Sequence, residues 1–196
     1  VDGGKLNYAQ WIIKALGEEY DVSSNMIDTS FFGVPQKRHR FFIVGFRKGS
    51  GLDHKKLFGA VERDRQTFLR RKGISSVPVS TKAAISDLEV SRNGKIPSRD
   101  SVGFEDIAYQ GPLTAYQALM NDGWEGIPPD TRLARHRSEI VDRFEKIIDL
   151  CHADGRLNVS LSSEIKASFG LKKSAIRVLD PNSPAPTVTS MPDDLI

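Results

Sequence analysis

The segment that most limits what this chain can fold into is residues 30–48, SFFGVPQKRHRFFIVGFRK, in which a rigid turn, a basic cluster and an apolar run follow without a break. Gly33 admits a positive φ, and Pro35 fixes its own φ while holding Val34 extended, so Gly33-Val34-Pro35 is a turn. Phe41 to Phe46, aromatic and branched and closed by Arg47 and Lys48, predicts a buried strand. Gln36, Arg38 and Arg40 alternate with a period of two, so in a strand that starts at Pro35 all three share one face. A carboxamide and two guanidinium forks held side by side suit a phosphate or the polar edge of a base.

The charge around this segment narrows the partner. Residues 36–49 contain five Lys or Arg and no Asp or Glu, within a chain of net charge +3 and pI about 9.0. That is a footprint for an anionic polymer such as a nucleic acid backbone, with a solvated strand edge as the plainer alternative. At 196 residues, 39% hydrophobic and 27% charged, the chain is one large or two small globular domains. A single cysteine, Cys151, excludes an internal disulfide and a multi-cysteine zinc site and fits a reducing compartment. No apolar run approaches the ~20 residues of a membrane span, and no signal peptide pattern opens the chain. Val1-Asp2-Gly3-Gly4 and Met191-Pro192-Asp193-Asp194-Leu195-Ile196 give the expectation of a fragment.

Along the chain, Tyr8, Trp11, Ile12, Ala15 and Leu16 mark an amphipathic helix over residues 6–16, stopped by Gly17 and expected to cover a sheet. Tyr20, Val22, Ser24 and Met26 alternate as a strand. Residues 57–72 predict an exposed helix, and 73–130 an irregular loop system with short helices at 81–88 and 113–120. Ile140, Phe144, Ile147, Ile148 and Cys151 share a helical face over 131–150, whose first half is basic through Arg132, Arg135, His136, Arg137 and Arg143. A helix at 162–169 ends in Gly170, and Ile176 to Leu179 predict a strand. Cys151, on the apolar face, is expected in the core.

Taken together, Gly33-Val34-Pro35, Gln36, Arg38, Arg40 and the strand closing with Gly45-Phe46-Arg47 resemble the QxRxR block, motif VIII, of DNA (cytosine-5) methyltransferases. Arg177-Val178-Leu179-Asp180 followed by Pro184-Ala185-Pro186-Thr187-Val188-Thr189 is similar to the end of that family's target-recognition region. The resemblance implies a mixed α/β fold: residues 1–48 as the edge of the S-adenosylmethionine-dependent catalytic sheet, and 49–196 as a small, irregular target-recognition domain. It implies that Arg40 contacts the O2 of a flipped cytosine, that Arg38 orders the site and that Gln36 braces the turn. Lys37, Arg47, Lys48, Thr187 and Thr189 would touch the DNA backbone. The implied partners are double-stranded DNA and a catalytic half outside this chain, in the cytoplasm at a bacterial nucleoid. The family's Pro-Cys nucleophile, Glu-Asn-Val acid and Phe-x-Gly-x-Gly cofactor loop do not occur in this sequence, so S-adenosylmethionine belongs to the parent enzyme and is not expected to bind here. The competing expectation is a non-catalytic DNA-binding module.

Overall fold

Asn7 starts the first helix, α1 (Tyr8–Leu16), with a capping box: its side chain accepts the Gln10 N–H at 2.9 Å, and the Gln10 side chain accepts the Asn7 N–H at 3.0 Å. This is seen in a computed structural model that describes residues 7–172, 176–188 and 196. The apolar stripe of α1 does not cover a sheet as expected. Tyr8 is 79% and Trp11 59% exposed, and no described residue of α1 is buried. The reason is the platform beneath it, a ribbon of only two strands, too narrow to enclose a helix.

That ribbon pairs β1 (Tyr20–Asp28) with β3 (His39–Arg47) antiparallel, in register from Tyr20 opposite Arg47 to Asp28 opposite His39. The strand therefore forms where the alternation placed it, but its predicted burial fails, because Phe41 and Phe42 are 44% and 43% exposed. Between the strands a 3-10 turn, Thr29–Phe32, leads to Gly33 at φ 85° and then to the short β2 (Gln36–Lys37). α2 (Leu57–Arg71) packs its buried Leu69 against this turn.

The middle of the chain holds α3 (Thr81–Ile85), α4 (Val90–Asn93), the hairpin β4 (Lys95–Pro97) and β5 (Glu105–Ile107), and α5 (Ala115–Met120). Both predicted helices are present in shortened form, whereas the hairpin was not anticipated. The interior here is polar. Gln117, almost wholly buried, accepts the Leu113 and Thr114 N–H groups at 2.7 and 3.0 Å and donates to Ser86 Oγ at 3.1 Å. Tyr109 donates its hydroxyl to Asp87 at 2.7 Å. Burial first, and then the Asp87 carboxylate, push that hydroxyl up to about 12. Such a network is stabilising only when its members are satisfied, as these are.

The apolar core lies further on, in α6 (Ser138–Ala153), α7 (Ser163–Ser168) and the segments after them. Ile147, Cys151, Leu161, Ile176 and Val178 form its centre, with Phe144 and Ile148 against it. The predicted face of α6 is thus the one buried, and Cys151 is a core residue whose thiol is pushed up by burial. The helix does not reach back over the basic residues. It begins at Ser138, after an extended Arg137, and Arg132 instead bridges to Asp106. Nor do residues 176–179 form a full strand: Arg177 makes an isolated bridge to Ser160 while Ile176 and Val178 turn inward. Finally β6 (Ala185–Pro186) returns to pair in parallel with β2, Gln36 opposite Ala185 and Lys37 opposite Pro186. Among the described residues no helix is long and apolar enough to cross a membrane.

Candidate functional site

The site grows from the turn that precedes β2. Gly33 closes the 3-10 turn in a left-handed conformation, and a Cβ there would meet Leu69 Cδ2 and Ile74 Cδ1 at 3.2 Å, so glycine is required both by φ and by space. The turn then locks onto the basic segment. The Thr29 N–H donates to the Arg38 carbonyl at 3.1 Å, and the Thr29 hydroxyl donates to the Gln36 carbonyl at 3.3 Å. Arg65 of α2 adds a bond from its guanidinium to the Phe31 carbonyl at 3.2 Å and lies 5.7 Å from the Phe31 ring centroid.

On this frame Gln36, Arg38 and Arg40 are half-buried, while the intervening Lys37 and His39 are exposed. That is the period-two alternation the sequence predicts, although the strand is interrupted at Arg38. The Arg38 guanidinium donates to Gln36 Oε1 at 3.4 Å. Arg40 donates to the His39 carbonyl at 2.8 Å and makes no hydrogen bond to the other two. The remaining guanidinium donors of both arginines meet no partner among the described residues, which leaves two fixed forks available to a ligand.

Below them lies Asp28, whose carboxylate accepts the Ser30 N–H at 3.0 Å and stands 3.6 Å from His39 Nε2. Burial pushes this carboxyl up, but the hydrogen bonds from Ser30, the charge of His39 and the Arg38 N–H together outweigh it and leave it below the ordinary carboxylate value. Neither Asp28 nor Thr29 was singled out from sequence. An Asp before a Thr-Ser pair at a helix start is the capping signal that points to them.

The far side of the site comes from the other end of the chain. The Ala185 N–H donates to the Pro35 carbonyl at 3.0 Å, and the Thr187 hydroxyl donates to the Lys37 carbonyl at 3.1 Å. Thr187 therefore stands beside Gln36 and Arg38, while Thr189 lies outside the described residues. The approach of β6 is fixed by the loop before it. The Ser183 carbonyl accepts both the N–H and the hydroxyl of Thr81, at 2.8 and 2.9 Å. Asn158, at φ 60°, donates to Ser183 Oγ at 2.8 Å and accepts the Asp180 N–H at 3.0 Å. Asn158, Thr81 and Ser183 carry no local sequence signal, because their partners are distant in the chain.

Two predicted residues sit elsewhere. Arg47 is exposed at the opposite end of β3, beside Tyr20 of β1. Lys48 turns to the end of α1, where Nζ donates to the Gly17 and Glu18 carbonyls at 2.7 and 3.1 Å. Among the described residues no cluster of His, Cys, Asp and Glu is arranged to hold a metal ion.

Comparison with known proteins places the sequence in a family. A type II methyltransferase, M.Bpa9945I of Bacillus paralicheniformis, is 31% identical over 108 residues, which cover 54% of this chain and 21% of that protein. A crystal structure described as that of a DNA modification methyltransferase encoded within a prophage, from E. coli, is similar at a TM-score of 0.45 and 18% identity, over 92% of this chain and 47% of that one. The chain thus spans about a fifth of the length of the curated relative that it matches. The model of the C-5 cytosine-specific DNA methylases matches residues 4–194, nearly the whole sequence, and the chain belongs to that family.

Proposed function

We propose that this chain is the DNA-engaging part of a DNA (cytosine-5) methyltransferase, with residues 1–48 as the closing edge of the catalytic α/β domain and 49–196 as the target-recognition domain. The observation that carries the reading is the parallel pairing of β2 with β6, which sets Thr187 against the Gln36-Lys37-Arg38 backbone from the far end of the chain. In this reading Arg40 donates to O2 of a cytosine turned out of the duplex, Arg38 holds the site in order and Gln36, which accepts from Arg38, braces the turn and the phosphate contacts. Lys37 and Thr187 would lie beside the phosphate backbone, Arg47 and Lys48 would meet it only at the opposite end of β3, and the expected contact of Thr189 lies outside the described residues. Chemistry at C5 of cytosine begins with thiolate attack at C6, and fixed donors at the pyrimidine edge hold the base and stabilise the negative charge that spreads over the ring.

The nucleophile and the methyl donor are proposed to belong to a catalytic half that packs against α1 and both faces of β3, where Tyr8, Trp11, Phe41 and Phe42 lie open. The family uses S-adenosylmethionine, which supplies the methyl group when bound. In this reading the donor is held by residues outside this chain. The turn between β3 and α2 carries Gly49 and Gly51, whose Cβ positions open on empty space and enclose no cradle. This 196-residue chain by itself is therefore expected not to methylate DNA, and methyl transfer from it alone would overturn this part of the reading. The parent enzyme would act in the bacterial cytoplasm at the nucleoid.

The test is Arg40→Ala in the complete enzyme, with turnover and duplex affinity measured separately. A loss of turnover on the order of a hundredfold, with duplex affinity nearly unchanged, is the expected result, since one preorganised donor is worth about that much. A loss of general affinity with no effect on turnover would point instead to a non-catalytic DNA-binding module.

A further inference from the structure

The β4–β5 hairpin carries a second polar site, independent of the motif VIII segment. Its second strand is flanked by residues 131–133. The Ile107 N–H donates to the Thr131 carbonyl at 3.1 Å, and the Leu133 N–H donates to the Glu105 carbonyl at 2.8 Å. Between this third rung and the hairpin lies a cavity of about 450 Å³, whose walls include Ser98, Arg99, Asp100, Asp106, Asp130 and Arg132. Val102, in the loop of the hairpin, is fully exposed.

The side chains here are preset but not satisfied. The Arg132 guanidinium lies 5.2 Å from the Phe104 ring centroid and donates to Ser101 Oγ at 2.6 Å, so its fork is held in place with donors to spare. Arg99 uses its backbone N–H on Asp106 Oδ2 at 3.2 Å, and its guanidinium reaches only the Ile127 carbonyl, at 3.5 Å. Asp106 is 5% exposed, and its carboxylate has that one hydrogen bond and no ion pair among the described residues. The Ser98 hydroxyl oxygen is buried without any partner. Asp130 sits at φ 61°, a strained conformation of the kind that collects at ligand sites.

A ligand for this cavity must offer both acceptors and donors. A phosphate offers acceptors alone and would face three carboxylates. The major-groove edge of a G·C pair offers what is needed, with guanine O6 and N7 accepting and cytosine N4 donating. An A·T pair is read best by Asn or Gln, and neither residue lines the cavity. We infer that Arg99 and Arg132 donate to guanine O6 and N7 and that one rim carboxylate, Asp100 or Asp130, accepts the single free N4 hydrogen of the paired cytosine, so the recognised sequence contains, besides the pair of the target cytosine, a G·C pair beneath this hairpin. The inference rests on the reading that residues 49–196 engage DNA.

Selection from a pool of random duplexes by the 196-residue chain, followed by sequencing, tests it. The unaltered chain should enrich a motif with a fixed G·C pair in addition to that of the target cytosine. Arg132→Ala and Arg99→Ala should relax the preference at such a position by about 5- to 150-fold, the discrimination expected of a bidentate contact, and should lower the salt dependence by no more than about one phosphate contact. If Arg132→Ala proves poorly folded, Arg132→Lys keeps the charge, loses the fork and should relax the same position. Motifs unchanged in these variants, or an enriched motif whose sole fixed G·C pair is that of the target cytosine, overturn the inference while DNA engagement stands. Failure of the unaltered chain to retain any duplex at low salt overturns both.

Discussion

At the scale of single residues, the strongest constraints sit beneath the basic face rather than on it. Gly33 is held at φ 85° under Leu69 and Ile74, so Gly33→Ala should lower the unfolding free energy by about 1–2 kcal/mol in a urea titration, the cost of a Cβ in the left-handed region. Asp28 and Tyr109 predict opposite pH responses. The folded-state value of Asp28 is depressed, so its contribution is complete above the ordinary 3.8 and is lost as the pH falls through the lower folded value. In Asp28→Asn this acid-side slope should flatten. Tyr109 has its folded value raised from 10.0 to about 12, so its contribution is complete below pH 10 and is lost as the pH rises towards 12. Melting temperatures across that alkaline interval should fall for the unaltered chain and fall less for Tyr109→Phe. A parallel decline in the two proteins would mean that burial and the Asp87 carboxylate do not hold the Tyr109 hydroxyl above its ordinary value.

At the scale of elements, what was legible in the sequence was what short-range chemistry decides. The turn at Gly33, the period-two order of Gln36, Arg38 and Arg40, and the face of α6 all follow from neighbours within a few residues. Burial was misjudged at Phe41 and Phe42 and at Tyr8 and Trp11, because burial depends on what lies across from an element, and an apolar pattern is the same whether a partner is present or not. The start of α6 was misplaced for a related reason. Periodicity reports which face is apolar but not where the helix begins, and Arg137 provides no side-chain cap to mark it. The polar interior built on Gln117, Asn93 and Asp87 was hidden because these residue types ordinarily mark surfaces. The apolar core around α6 gives the contrasting prediction. Ile147→Ala, at a fully buried position, should cost about 2–5 kcal/mol by chemical denaturation, and a value below 1 kcal/mol would show that the core collapses around the cavity.

At the scale of the whole molecule, the candidate site is completed by a contact between Thr187 and Lys37, 150 residues apart, and the loop that aims β6 is held by Asn158 and Thr81. Asn158→Ala should therefore speed amide exchange at Ala185 while leaving amides of the α6 core protected, and equal acceleration of both would show that Asn158 supports general stability instead. The pairing of β2 with β6 also has a kinetic side. Bringing together chain ends so far apart costs about 4 kcal/mol of closure entropy in a flexible chain, whereas two hydrogen bonds return roughly 1 kcal/mol each. The pairing cannot nucleate folding by itself and must wait until the intervening helices and hairpin have shortened the effective loop. In pulse-labelled refolding the β1–β3 ribbon, closed by local contacts, should gain protection early and the Ala185 N–H late. The Thr187 contact beside the arginines is thus a late checkpoint in the chain's own maturation, since a partly folded molecule would carry the basic strand without the segment that completes the candidate site.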